Sequence, residues 1–155
     1  MNFQISSLPV AQFATLFGLP DNELGKRGVV RRIADHRSGY PCRVSLRDAN
    51  VGEPVLLLNY EHLPVDGPYR SRHAIYVREY ALEAKPAVNE IPEVLRSRLL
   101  SVRGFDEAGM MVDADVVEGI RLTPMISHYF DDRRIKFLHI HNAKPGCFAA
   151  RVDRA

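Results

Sequence analysis

The chain has 155 residues, of which 46% are hydrophobic and 26% charged, and a formal net charge of +2. That describes one globular domain over 1–155, large enough to bury about 68–70% of its unfolded surface without cross-links. No run approaches the ~20 apolar residues of a membrane helix, residues 1–4 lack the basic and apolar regions of a secretory leader, and the charge is too small for a dedicated nucleic-acid binder. These features predict a soluble, cytoplasmic protein with neither membrane nor nucleic acid as partner.

In chain order, Phe3–Ser7 alternates weakly and predicts a first strand. Ser7-Leu8-Pro9 reads as a helix start, and Val10, Phe13, Ala14, Leu16 and Phe17 follow helical spacing up to Gly18. Pro20–Leu24 opens a second short helical piece that ends by Gly28, and Val29–Asp35 predicts a strand. After the Ser38–Pro41 turn, Cys42–Leu46 is expected to be extended. Pro54–Tyr60, with Val55, Leu56, Leu57 and Leu58 in succession, predicts a strand buried on both faces, and His73–Tyr80 its antiparallel return. A loop carrying Tyr69, Arg70 and Arg72 joins them.

Further on, Ile91–Arg96 starts a short helix, Leu99–Phe105 returns to strand, and Met111–Val117 continues after the Asp106–Gly109 turn. Thr123–Phe130 fits a helix with Thr123 as cap and Pro124 at the first position. Ile135–His141 and Cys147–Val152 form a last hairpin around Pro145-Gly146. The pattern predicts an α+β fold, mainly an antiparallel sheet with three or four short helices on one side.

The charge is unevenly spread. Lys26–Arg47 holds seven basic residues against one acid, whereas Ala81–Glu118 holds eight acids against four bases. Such asymmetry gives one face an attraction for anions, or is a solvated strand edge. The two cysteines, Cys42 and Cys147, are expected as free thiols in a reducing compartment.

Three clusters carry possible chemistry. On a strand, residues i and i+2 share a face, so His139 and His141 stand side by side with Ile140 opposite. Such a pair can ligate a metal, handle a proton, or hydrogen-bond within a core. A third ligand would come from Cys147, Cys42, His62 or His73. Cys42, followed by Arg43, has the cationic neighbour that favours a thiolate, and a tail histidine could serve as its base. Tyr69-Arg70-Ser71-Arg72-His73, at a loop-to-strand junction, suits carboxylate or phosphate. His62 can approach the tail histidines, Glu61 points to the opposite face, and His36 and His128 read as surface residues.

Tyr40–Leu46, Leu57–His62 and Pro68–Arg70, together with His139–Ala143, Gly146-Cys147 and Arg151-Val152, resemble a small bacterial family known as domain of unknown function 1203. The resemblance spans nearly the whole chain, and it implies no activity, substrate or cofactor. The residues themselves predict a polar pocket for a small anionic molecule. Cys42, His139 and His141 would carry the chemistry, and Arg43, Tyr69, Arg70, His73 and Asn142 the binding. A metal-binding protein using His139 and His141, or a non-catalytic interaction domain, are the alternatives.

Overall fold

A computed structural model describes residues 1–155. Eight strands divide between two antiparallel sheets. β1 (Phe3–Ser6), β5 (Leu99–Phe105), β6 (Met111–Glu118), β7 (Phe137–Asn142) and β8 (Phe148–Arg154) build a five-stranded sheet in the order β1-β8-β7-β5-β6. β2 (Val30–Ile33), β3 (Pro54–Leu63) and β4 (Ser71–Arg78) form a three-stranded one. The helices are short: α1 (Asp21–Lys26), α2 (Glu93–Arg96) and α3 (Leu122–Asp131), with three 3-10 turns. The fold is α+β and mostly antiparallel. Its helices are shared between two cores rather than gathered on one sheet: Leu24 of α1 packs in the core of the smaller sheet, whereas Val94 and Leu95 of α2 and Ile126 of α3 pack in that of the larger.

Alternation explains both cores. Along β7, Leu138 and Ile140 point into an 18-residue cluster with α2 and α3. The alternate residues Phe137, His139 and His141 therefore face the other way, because successive strand side chains take opposite sides. On β3 and β4 the cross-strand pairs Leu56–Val77 and Leu58–Ile75 fill the second core, and Tyr60–His73 continues that row toward the five-stranded sheet. The junction of the two sheets is where the outward face of β7 meets the end of this row.

Three local expectations give way. Val10–Phe17 forms two 3-10 turns, Val10–Gln12 and Ala14–Leu16, rather than an α-helix. Cys42–Leu46 is not a strand: it touches β4 through a single bridge at Cys42–Tyr76, then turns, with Leu46 N–H returning to the Cys42 carbonyl and Leu46 at a φ of 51°. α3 has no side-chain cap, since Arg121 stands at its start and a 3-10 turn, Gly119–Arg121, leads directly into it. Gly119 is needed there, because a Cβ would lie 1.9 Å from the Leu95 carbonyl oxygen.

Candidate functional site

Four of the six histidines meet at the sheet junction. His62 comes from β3, His73 from β4, and His139 and His141 from β7. His62 Nε2 lies 2.8 Å from His73 Nδ1, and His62 Nδ1 lies 3.2 Å from His139 Nδ1. The rings of His62 and His73 are nearly parallel with centroids 4.8 Å apart, and His141 meets both edge-on. Nitrogens of His62, His73 and His141 fall within 4.8 Å of one another, a spacing that can hold a metal ion.

Aromatic rings close the cluster. Phe148 stacks on His62 at 5.0 Å, and Phe105, Phe137 and Phe148 surround His139 at 4.9–5.5 Å. His62, His139 and His141 are buried and His73 is half-buried. Burial disfavours the imidazolium, and neighbouring cations and imidazoles add to the effect. The pKa falls to about 4 at His62, about 2 at His139 and about 3 at His141, and His73 is lowered as well. All four rings are neutral near pH 7.

The tautomer of His141 follows from its partner. Nδ1 lies 2.9 Å from the Gly146 carbonyl, which can only accept, so Nδ1 carries the proton and Nε2 a lone pair. Gly146 adopts a φ of 78° in the β7–β8 turn, the left-handed conformation that aims its carbonyl without a side-chain penalty. The Nε2 atom is buried and has no hydrogen-bond partner. Leaving such an acceptor unpaired costs about 1–3 kcal/mol.

A guanidinium completes the site. Arg103 on β5 stands opposite His139 in the β5–β7 register, with Ser101 opposite His141. Its Nε donates to Ser101 Oγ at 3.2 Å, and it pairs with no carboxylate. Burial lowers its pKa, and its charge helps depress all four imidazoles. The sequence does not mark Arg103 as a site residue, since its place beside the histidines depends on the β5–β7 register; the alternation Ser101, Arg103, Phe105 only puts these three on a common face.

The other candidates fall into three places. Arg43, Asn142 and Cys147 are neighbours of the cluster: Arg43 Nη2 lies 2.9 Å from Cys147 Sγ, and Asn142 Nδ2 lies 3.5 Å from it. Cys42 is 1% exposed in the core of the smaller sheet, and its sulfur accepts backbone N–H groups of Ser45 and Arg78. Tyr69 and Arg70 lie on the exposed loop between β3 and β4, whereas Arg72, expected on that loop, belongs to β4; Arg70 and Arg72 both pair with Glu61. Glu61 is on the side of β3 opposite His62, so these arginines do not converge with the imidazoles. Both cysteines are free thiols.

No helix is long and apolar enough to cross a membrane. No curated protein matches the chain, and no solved structure does. A family model described as "Protein of unknown function (DUF1203)" matches residues 39–154, which include all four clustered histidines, Arg43, Arg103 and Cys147, and the chain belongs to that family.

Proposed function

We propose that this chain binds a divalent transition metal through His62, His73 and His141 and uses it on a small anionic molecule paired by Arg103. The observation that carries the reading is His141: its Nδ1–H is given to a backbone carbonyl, while its buried Nε2 lone pair, beside two further imidazoles, has no partner. Metal-ligating histidines are oriented in this way by the hydrogen bond of their second nitrogen. His139 would do the same for His62, through the contact between their Nδ1 atoms.

Three imidazoles suit zinc, nickel or iron, and a tetrahedral ion would keep a fourth position for water or substrate. Because all three rings are neutral near pH 7, no proton has to be expelled from an imidazolium before binding; His73 needs only to move its proton to Nε2. The net charge of such a site, with Arg103 adjacent, favours an anionic ligand such as a carboxylate or phosphate.

A metal-free proton relay along His73, His62 and His139 is the competing use of the same hydrogen bonds. General acid–base catalysis works best with a pKa near the working pH. Values of about 4 and about 2 are two or more units away, which favours the metal.

The test is elemental analysis of protein purified without added metal or chelator, followed by titration of cobalt(II) into chelator-dialysed protein. About one metal per chain is expected, with visible absorption of a tetrahedral cobalt site. His73→Ala, at a half-buried position, should abolish that spectrum, and Cys42→Ser should leave it. Absence of metal, of cobalt absorption and of any metal-induced shift in melting temperature would refute the proposal.

A further inference from the structure

Beside the imidazoles, and partly lined by His73, lies a cavity of about 650 Å³. Its charged lining residues are Arg43, Arg98 and Lys144, with no aspartate or glutamate among them. Arg98 is answered by Asp48. Arg43 has no carboxylate partner. It is 2% exposed, and its guanidinium donates to the Phe148 and Pro41 carbonyls and, through Nη2, to Cys147 Sγ at 2.9 Å. Burying a guanidinium without a counter-charge is costly. The sulfur is the one group bonded to it that can become an anion.

Asn142 is an independent sign that this cavity receives something. It lines the cavity and is 5% exposed, with Nδ2 toward Cys147, while its Oδ1 has no hydrogen-bond partner. A buried carboxamide oxygen without a donor, in a cavity where Arg43 and Lys144 have no acidic partner, fits a ligand that brings both a negative charge and a hydrogen-bond donor.

We propose that Cys147 is the nucleophile of a cation-lined cavity that takes small anionic electrophiles. Arg43 Nη2 donates a hydrogen bond to the sulfur, and the thiol proton leaves to solvent as the sulfur attacks. The sulfur lone pair attacks the electrophilic carbon; a C–S bond forms, and the leaving group departs with its bonding pair. Arg43 stays charged throughout. Nothing in this step uses a metal, so the site stands whether or not the imidazoles bind one.

Iodoacetate and iodoacetamide carry the same electrophilic carbon and the same leaving group, and differ in one negative charge. Their rates of reaction with Cys147 are measured on chelator-dialysed full-length protein, with peptide mass spectrometry to assign the modified cysteine. The ratio of iodoacetate to iodoacetamide rates should exceed that of 2-mercaptoethanol roughly tenfold or more, as expected of a charged cleft that concentrates counter-ions, and should fall as salt is raised. Cys42 should stay unmodified. Lys144→Glu, at an exposed position, should lower the ratio several-fold. A ratio equal to that of the free thiol, or no alkylation of the native protein, would overturn the proposal. Loss of metal binding would bear only on the imidazole site.

Discussion

Acidification from pH 7 to pH 5 should remove much of this protein's stability, well before its carboxylates begin to titrate. The folded state holds His62, His139 and His141 neutral, with pKa values near 4, 2 and 3 against 6.5 for a free imidazole. For a base whose pKa is depressed by folding, the unfolded chain takes up the proton first as pH falls. The stabilisation is complete above the free-imidazole value and is lost downward through it, until the folded rings protonate too. Between pH 7 and pH 5 each such ring costs about 2 kcal/mol, so three cost on the order of 5 kcal/mol. His73, lowered less and half-buried, adds to this. Domains of this size are stable by about 5–15 kcal/mol, so the loss is a large fraction of the whole. Arg78 lowers the pKa of Glu53, and at Glu79 the upward push of burial is outweighed by Arg31 and the Gly18 N–H; their stabilisation is present above the free carboxylate value and fails only below about 4.5. Urea unfolding of chelator-dialysed protein at half-unit steps gives free energy against pH. The slope near pH 5.5 should report uptake of about three protons, or roughly 4 kcal/mol per pH unit. A change below about 1 kcal/mol between pH 7 and pH 5 would show that the imidazoles are not sealed as neutral rings.

Two further predictions follow from individual residues. His139→Phe keeps the apolar packing against Phe105, Phe137 and Phe148 but removes the nitrogen facing His62 Nδ1. Cobalt should still bind with the same stoichiometry and about 10–100-fold more weakly, as for loss of an orienting partner; unchanged affinity in isothermal titration would remove His139 from the site. Gly119→Ala should destabilise by roughly 3 kcal/mol or more, because the new Cβ would meet backbone, the Leu95 and Arg96 carbonyls, rather than a side chain that can swing away. A melting temperature within about 2 °C of wild type would refute the tight approach of α2 to the turn before α3.

Strands with a clear period of two were legible in the sequence. β5 has the boundaries that its alternation predicts, and the prediction that His139 and His141 share a face with Ile140 opposite agrees with β7, where Ile140 enters the helix-side core. What the period does not carry is register. Arg103 becomes a site residue only because β5 pairs with β7 so as to set Arg103 against His139. The β3 strand runs on through His62 to Leu63, past the predicted end at Tyr60, and a bulge after Glu61 accompanies that extension. Cys42–Leu46 has apolar residues suited to a strand, yet Leu46 takes a positive φ, which no side-chain pattern announces. Arg70 and Arg72 cluster in the sequence, and Glu61, three residues after Leu58 on β3, accounts for them by pairing.

The position of the imidazoles bears on their purpose. A seam between two sheets, walled by Phe105, Phe137 and Phe148, is a place where leucine or phenylalanine would pack without desolvating anything polar. Three buried histidines and a half-buried fourth give up much of the hydration of their ring nitrogens, and the hydrogen bonds among themselves and to Gly146 repay only part of it, with the His141 Nε2 acceptor left over. Strand placement fixes each ring more tightly than a loop would, since backbone pairing on β3, β4 and β7 sets the positions and aromatic contacts set the rotations. A rigid, neutral, electron-rich set of nitrogens with one lone pair unclaimed is a poor way to stabilise a core and a good way to receive a cation. The neighbouring guanidiniums of Arg103 and Arg43 are likewise without carboxylate partners, a further cost in burial that the proposed anionic ligands would offset.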